Sequence, residues 1–470
     1  MKKYKYLIKN VGVLTISNFG SKVLSFLLIP LYTSVLTTSE YGTYDIFQST
    51  ISLCVPILSV SISSAMLRFL MDFLEDKTKT TETISIGIKY IIFSIFAFSL
   101  LIGINYIFEI NTEFKKYSLL IIFMYVSYLI YEFLSNIARG RDKITLTAIS
   151  GIINSIVLLG SNILFLVVFK FGLKGYIVAY CLGNIMPALF IAIALKLWRY
   201  ISFKPINKSL RKELISYSRP LIVDTISWWI TNISARYVIL AFCGAGANGI
   251  YSVSYKIPSI LNIFQGIFNQ AWTLSAVKEY NEKTTDFCSE IYNLYNCGMV
   301  FVCSVLLIAN KLIAKILFAN EFFEAWRYAP YLMVSVVFGA MCGVLGGMFS
   351  ASKNSRTKGM STLIGAIVNL ACCIVLVYKI GPLGASISAL LSYIAVWATR
   401  IIKIKKEFDL KINLKRDIFV YFILIIQATV LIFELPLQYE LIIEIALLFI
   451  IFIMYYKIII GYLKKLKVKI

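Results

Sequence analysis

Long apolar runs recur along the whole 470-residue chain, and they constrain its fold more than any other feature. A helix needs about 20 apolar residues to cross the hydrocarbon core of a bilayer. We predict fourteen spans, at residues 11–36, 44–69, 84–108, 117–137, 144–169, 175–197, 214–241, 250–276, 290–318, 329–350, 359–379, 383–402, 418–433 and 441–462. Because 59% of the residues are hydrophobic and 15% are charged, the chain is predicted to be an all-α, multi-pass membrane protein.

The apolar runs at the two ends of the chain each allow a second interpretation. Glu434, Pro436 and Glu444 interrupt the last two runs, so twelve spans followed by a hairpin also fit the pattern. The opening MKKYKYLIKN precedes an apolar run, as the start of a signal peptide does. That run is longer than a signal peptide's and no Ala-x-Ala-like site ends it, so we predict a retained first helix.

Lysine and arginine are concentrated on one side of the predicted membrane. Alternate connections, beginning with the N-terminus, hold 31 of the 46 basic residues, and the opposite connections hold six: Lys115, Lys116, Lys170, Lys174, Arg327 and Lys379. Because basic loops stay in the cytoplasm, both termini are predicted to be cytoplasmic. The net charge of +22 then reflects topology and attraction to anionic membrane lipids, and it predicts no nucleic-acid partner.

Two phrases of the first half return in the second half. TTSEYGTYDI at 37–46 returns as GAGANGIYSV at 244–253, an offset of 207, and FKFGLKG at 169–175 returns as YKIGPLG at 378–384, an offset of 209. Each phrase lies in a short connection on the predicted outer side. Six predicted spans separate corresponding points, so both halves enter the membrane in the same orientation, as in transporters built from parallel repeats.

The repeat predicts the domain organisation. It comprises an N-terminal six-helix bundle at 1–198, a cytoplasmic linker at 199–213, a C-terminal six-helix bundle at 214–402, and a cytoplasmic loop with a C-terminal helix pair at 403–470. Two bundles related by a pseudo-twofold axis along the membrane normal are expected to enclose a cleft. Polar stripes on otherwise apolar helices should mark its lining.

Such stripes follow the first two predicted helices of each half. They are Asn18, Ser21, Lys22 and Ser25; Gln48, Ser52, Ser59 and Ser63; Asp224, Ser227, Thr231 and Ser234; and Tyr251, Tyr255, Asn262, Gln265 and Asn269. Hydrogen bonding between helices explains any single stripe equally well. Their occurrence on the same helices of both halves favours a shared, water-filled cavity.

Charged side chains inside apolar spans are costly unless they face water or a partner. The spans contain Lys22, Arg68, Lys89, Asp224, Arg236 and Lys256, with Asp45 and Arg219 nearer the helix ends. This mainly cationic set favours an anionic cargo such as a phosphate or pyrophosphate. A structural ion pair, for example Lys22 with Asp224, would also tolerate burial.

The stripes and the charges together predict two sets of site residues. The predicted substrate cavity consists of Lys22, Arg68, Lys89, Arg236, Lys256, Gln48, Tyr255, Asn262, Gln265 and Asn269. Ion coupling is predicted at Asp224 and Asp45.

The sequence contains no catalytic or metal-binding signature. It has no histidine, the commonest acid–base group and metal ligand, and no P-loop, dinucleotide-binding glycine motif, metalloprotease motif or nucleophile elbow. The nine cysteines fall mostly inside apolar spans, without the spacing of a disulfide or metal framework. The chain is therefore predicted not to be an enzyme, and to need no cofactor beyond a coupling Na⁺ or H⁺.

One block and its second-half partner match a known pattern. They are SNFGSKVLSFLLIPLYTSVLTTSEYGTYDI at 17–46 and ISARYVILAFCGAGANGIYSVSYKIPSI at 233–260, with the turn phrases FGLKG and GPLGA; the matching residues of the first block are Pro30, Leu31, Tyr32, Leu36, Glu40, Tyr41, Gly42 and Tyr44. From about residue 10 to residue 402, the chain resembles the polysaccharide biosynthesis flippases of the multidrug/oligosaccharidyl-lipid/polysaccharide (MOP) exporter superfamily.

The resemblance implies two six-helix bundles around a V-shaped cavity, with two further helices that offer a groove for a polyprenyl tail. It also implies an activity: moving an undecaprenyl-pyrophosphate-linked glycan, such as an O-antigen or capsule repeat unit, to the outer leaflet by alternating access. The implied partners are this lipid-linked substrate, membrane lipids, and a polymerase with other polysaccharide assembly proteins.

Three alternatives remain. A multidrug/cation antiporter of the same superfamily would favour an acidic cavity. A lipid II flippase would carry a peptidoglycan precursor instead. A membrane-embedded polymerase or glycosyltransferase would be expected to carry a large loop outside the membrane.

Overall fold

In the computed structural model, the described residues are 26, 28–202, 207–278, 284–352, 354–407 and 410–467, and none of them lies in a β-strand. The predicted all-α fold is confirmed. The chain divides into two compact units, Met1–Trp229 and Ile230–Ile470. The predicted linker at 199–213 lies within the first unit, so its place as a domain boundary stays a prediction.

The helices of the first unit follow one another with short connections. They are α1 (Ile29–Val35), α2 (Thr38–Leu58), α3 (Ile62–Asp72), α4 (Lys77–Phe108), α5 (Thr112–Lys116), α6 (Ser118–Gly140), α7 (Ile144–Asn162), α8 (Gly172–Ala194) and most of α9 (Lys208–Ile233). A π-helical segment, Ile163–Val168, extends α7, and a 3₁₀-helix, Leu197–Tyr200, follows α8.

The second unit contains the remaining helices. They are α10 (Ala235–Ser254), α11 (Pro258–Lys278), α12 (Thr284–Ile308), α13 (Asn310–Leu317), α14 (Ala329–Ala351), α15 (Ser355–Ile380), α16 (Pro382–Glu407), α17 (Leu414–Ile432) and α18 (Leu437–Lys467). A 3₁₀-helix, Asn320–Arg327, joins α13 to α14.

Within the described residues, ten helical segments are long and apolar enough to cross a membrane, and eleven if the bent pair α2–α3 is one span. Every predicted span has a matching segment among these eleven, except the predicted spans at 11–36, 250–276 and 418–433. The first of these lies largely outside the described residues, and Lys415, Arg416 and Asp417 shorten the apolar part of α17. The predicted total of fourteen is therefore not confirmed.

Two predicted spans are each broken into two helices. The axes of α2 and α3 differ by 53°, and Val60 and Ser61 between them have φ of 55° and 49°, a left-handed conformation that is rare for a β-branched residue. In the second unit α10 ends at Ser254 and α11 begins at Pro258, because the proline ring disfavours a continuing helix before it. The sequence predicted unbroken spans at 44–69 and 250–276 because apolar residues continue through both breaks.

The repeated glycines have the same backbone roles in both units. Gly172 and Gly381 have φ of 54° and 64°, a conformation that glycine adopts without strain. A Cβ on Gly175 would lie 2.9 Å from the Cβ of Phe171, and one on Gly384 would lie 2.3 Å from the backbone of Leu376. These glycines let α8 and α16 start in close contact with the segment before them, which explains why the phrase occurs twice.

Glu40 joins the two outer phrases of the first unit. Its Oε2 accepts a hydrogen bond from the Thr37 N–H (3.0 Å), and the Thr37 hydroxyl accepts one from the Glu40 N–H (3.2 Å), which forms a capping box. Glu40 Oε1 accepts a bond from the N–H of Leu173 (3.4 Å). The ring centroids of Tyr44 on α2 and Tyr176 on α8 lie 4.2 Å apart.

In the second unit, Tyr251 of the first phrase packs with residues on either side of the second phrase. Ala235, Ile239 and Tyr251 of α10 share a buried core with Val377 of α15 and Ala385 of α16. Each repeated phrase therefore belongs to a pair whose members pack against each other within one unit.

Gly384→Ala should destabilise the protein by about 1–3 kcal/mol because the new methyl group overpacks the backbone of α15. Gly359→Ala is the matched control, since no atom lies within 4 Å of its added Cβ, and it should be neutral or stabilise by up to about 1 kcal/mol. Thermal unfolding of the purified protein in detergent measures both. Equal melting temperatures for the two variants would contradict the close approach at Gly384.

Candidate functional site

Arg236 and Ser252 meet because the chain folds back between them. They are sixteen positions apart on α10, a distance of about 24 Å along a continuous helix, yet Arg236 Nε donates a hydrogen bond to Ser252 Oγ at 3.4 Å. Gly244, midway between them, has non-helical φ and ψ of 83° and 175°. This glycine opens the repeated phrase GAGANGIYSV, and its conformation makes α10 a helical hairpin.

The guanidinium of Arg236 lies over an aromatic ring. Its centre is 5.4 Å from the ring centroid of Tyr255, within the range of a cation–π interaction. The Tyr255 hydroxyl is 3.0 Å from the hydroxyl of Tyr251, whose side chain is fully buried. A buried tyrosine therefore holds the ring against which the guanidinium rests, and two predicted site residues, Arg236 and Tyr255, come together.

Lys256 follows Tyr255 in the break between α10 and α11. It is half-buried, and no carboxylate pairs with it among the described residues. Its charge lies at the C-terminal end of α10, where the helix dipole favours a cation. The break thus carries a lysine next to the tyrosine that holds Arg236.

The residues of the polar stripe on α11 differ in their exposure to solvent. Asn262 is exposed, and Gln265 and Asn269 are half-buried. Asn269 packs against α14, since its Oδ1 would lie 2.7 Å from a Cβ on Gly343. Asn269 thus lies against a neighbouring helix, and the cavity role of the three residues stays a prediction.

The stripe ending at Ser234 also contacts other helices. The Thr231 carbonyl accepts a hydrogen bond from Asn369 Nδ2 (2.8 Å), and the neighbouring Asn232 Oδ1 accepts one from the Tyr393 hydroxyl (3.0 Å). These bonds tie the end of α9 to α15 and α16. Asp224 lies on α9, but its side chain is outside the described part of the structure.

The predicted site residues of the first unit differ in their surroundings. Lys22 lies outside the described residues. Arg68 pairs with Asp72 one turn later at 2.5 Å, with 52% of each side chain exposed, as in an ordinary surface pair. Lys89 and Gln48 are exposed and Asp45 is half-buried, and their roles stay predictions.

Glu132 on α6 was missed by the sequence analysis, although it is an acidic residue inside the predicted span 117–137. The Asn136 side chain donates to the Glu132 carbonyl (2.9 Å) and accepts from Arg139 Nη2 (3.1 Å). Within the described residues, Glu132 Oε2 is buried without a hydrogen-bond donor. Its position inside an apolar run was the signal that could have identified it.

Arg400 was also missed, and the structure explains it without a ligand. It is 6% exposed and donates to the Cys342 carbonyl (2.5 Å), Ser361 Oγ (2.8 Å) and Thr362 Oγ1 (3.1 Å). These acceptors lie on α14 and α15, so the guanidinium joins three helices of the second unit. No pattern along the chain links these residues, because they are 38 to 58 positions away from Arg400.

A family model described as polysaccharide biosynthesis protein matches residues 7–275 of the chain. No curated protein matches its sequence.

Solved structures share the fold at low identity. A structure of the lipid II flippase MurJ in an inward closed conformation aligns with a TM-score of 0.71 and 13% identity, covering 94% of this chain and 99% of that chain. An inward-facing multidrug resistance MATE family transporter of the MOP superfamily aligns with a TM-score of 0.65 and 15% identity, covering 82% and 95%. The MATE transporter VcmN of Vibrio cholerae gives 0.58 and 14%, covering 90% and 100%. At these identities the matches establish a common fold and say nothing of the cargo.

Tyr255→Phe should destabilise the protein by about 1–3 kcal/mol because it leaves the buried Tyr251 hydroxyl without its partner. The double variant Tyr251→Phe/Tyr255→Phe removes both hydroxyls, and we expect it to lose no more stability than the single variant. Thermal unfolding of the three proteins in detergent checks this. Additive losses would mean that the two hydroxyls do not depend on each other.

Proposed function

The chain belongs to the polysaccharide biosynthesis protein family, and we propose that it is a flippase for undecaprenyl-pyrophosphate-linked oligosaccharide repeat units. It is a multi-pass membrane protein with the fold of the flippases and transporters of the MOP superfamily. The resemblance drawn from the sequence is thereby confirmed for family and fold. The lipid-linked cargo and its movement from the cytoplasmic to the outer leaflet by alternating access constitute the proposal.

The observation that carries the proposal is the pair of cations beside Tyr255. Arg236 lies against the Tyr255 ring and Lys256 follows it, with no carboxylate paired to Lys256 among the described residues. A cation such as Lys256 inside a predicted span needs a counter-charge or water, and a pyrophosphate would supply the counter-charge to it. The guanidinium offers a planar fork for phosphate oxygens, whereas the ammonium offers a point charge.

The helix break adds a second argument. In transporters built from repeats, substrates and coupling ions bind where membrane helices are interrupted, because the unpaired backbone ends there can contact a polar ligand. Tyr255 and Lys256 lie in such an interruption between α10 and α11. The first unit also has a helix break, at Val60 and Ser61, but the offset of 207 does not align it with Tyr255 and Lys256.

A lipid II flippase is the second candidate, because the MurJ structure aligns over 94% of this chain. The candidates differ in the glycan, which no short sequence pattern specifies. A multidrug/cation antiporter agrees with the fold as well, but a cationic site would repel its cargo.

Reconstitution separates these candidates. Purified protein in liposomes should move labelled undecaprenyl-pyrophosphate oligosaccharide, measured as accessibility to an external sugar-modifying enzyme. Parallel liposomes should contain lipid II or a cationic drug, and empty liposomes give the background. Movement of lipid II alone would establish the second candidate, and transport of the drug alone would overturn both flippase assignments.

Arg236→Ala should weaken apparent affinity for the lipid-linked cargo by roughly 10- to 100-fold, because hydrogen bonds to charged groups contribute about 1.5–3 kcal/mol. Arg236→Lys should lose less because it keeps the charge without the fork. Arg141→Ala is the matched control, since Arg141 lies 4.6 Å from the ring centroid of Tyr200 and donates to its hydroxyl but lies outside the proposed site. Wild-type transport by folded Arg236→Ala would refute the pyrophosphate assignment.

We further propose that transport is coupled to a Na⁺ or H⁺ gradient or to the membrane potential through Asp224, with Asp45 as a second candidate. The sequence has no nucleotide-binding motif, so uphill movement must draw on such a source. Asp224→Asn should remove the dependence of transport on an imposed gradient while leaving downhill movement of the labelled lipid. Unchanged gradient dependence would exclude Asp224, and the same test then applies to Asp45→Asn.

A further inference from the structure

The C-terminal helix pair, α17 and α18, is bonded at both ends to other helices of the second unit. Near the start of α17, Arg416 Nη2 donates to Asn293 Oδ1 of α12 at 2.7 Å. Near the start of α18, Glu440 pairs with Lys311 of α13 at 2.5 Å, and 4% of the Glu440 side chain is exposed. Because both ends are held, side chains between the two helices lie in a fixed interior.

That interior contains a carboxylate and a carboxamide. Glu444 is 1% exposed and Gln427 is 0% exposed. Gln427 Nε2 donates to Glu444 Oε2 at 2.9 Å and to the Glu444 carbonyl at 3.3 Å. The other oxygen of each side chain, Glu444 Oε1 and Gln427 Oε1, is buried without a hydrogen-bond donor among the described residues.

The charges around this pair do not balance. Glu440 and Glu444 lie one turn apart on α18, and Lys311 pairs with Glu440, whereas no cation pairs with Glu444 among the described residues. Other groups on the packed helices have their own partners: Tyr331 of α14 bonds to Thr429 (3.0 Å), and Asp417 pairs with Arg416 (2.7 Å). Of these two buried carboxylates, Glu440 alone has a paired cation in the described part of the chain, and an unpaired charge in this environment costs several kcal/mol.

We propose that Glu444 is a proton-binding site inside the C-terminal helix pair. A proton on the carboxylate removes the unbalanced charge and turns one oxygen into the donor that the pair of buried oxygens lacks. The step is the addition of one proton to the carboxylate, with no other bond formed or broken. The site does not depend on the identity of the cargo. Its test is therefore independent of the proposed flippase activity.

Infrared spectroscopy of the purified full-length protein tests the site directly, because a protonated carboxyl group has a carbonyl band that shifts in D₂O. The wild-type protein should show this band at neutral pH and lose it as the pH is raised. Glu444→Gln should lack the part of the band that belongs to this residue. Glu434→Gln is the matched control at the tip of the same helix pair, where Glu434 is 50% exposed and pairs with Arg327, and it should keep the whole band.

Two more variants identify the carboxyl group. Glu132→Gln removes the buried acid of the first unit whose Oε2 has no donor among the described residues, and any band lost there belongs to that unit. Gln427→Leu keeps the Glu444 carboxyl but removes its donor, so the band should remain at a shifted frequency, and this variant serves if Glu444→Gln does not fold. Absence of a protonated carboxyl in the wild-type protein, or a band that changes in neither Glu444→Gln nor Gln427→Leu, would overturn the proposal.

Discussion

A polar group within a membrane has no water to satisfy it, so its partners must come from the protein. Asn296 shows this in the second unit: it accepts from the Tyr421 hydroxyl (2.8 Å) and donates to the Tyr455 hydroxyl (3.0 Å), and thus links α12 to both C-terminal helices. Arg400 satisfies the same requirement with oxygens from two helices. Among the described groups without a hydrogen-bond partner are Glu444 Oε1 and Glu132 Oε2, and as carboxylate oxygens inside predicted spans they call for a functional explanation.

The same requirement accounts for the internal repeat. A helix that turns back at the membrane surface must do so in a few residues, and a close start for the next helix leaves no space for a side chain. Gly175 and Gly384 occupy these starts, and Gly172 and Gly381 supply the left-handed turns before them. The repeated residues thus reflect a repeated backbone geometry. They therefore identify a family but not a cargo.

The broken helices bring charged side chains to positions that continuous helices could not provide. Where α10 gives way to α11, Lys256 carries a charge beside Tyr255, and the hairpin at Gly244 brings Arg236 to the same ring. A membrane helix without interruption hides its backbone groups and offers only side chains to a ligand. In the first unit, by contrast, Arg68 is paired with Asp72.

Hydropathy was enough to predict the membrane environment and the all-α fold, and the resemblance of the blocks at 17–46 and 233–260 predicted the family, because each depends on residue type and local conformation. Charge placement and spacing also predicted Arg236, Tyr255 and Lys256 as site residues, and the structure places Arg236 over the Tyr255 ring. They could not predict the helix break before Pro258, the packing of Asn269 against Gly343, or the contact between Gln427 and Glu444. Those features depend on which faces of distant helices meet, and one helix's pattern does not specify its neighbour's position.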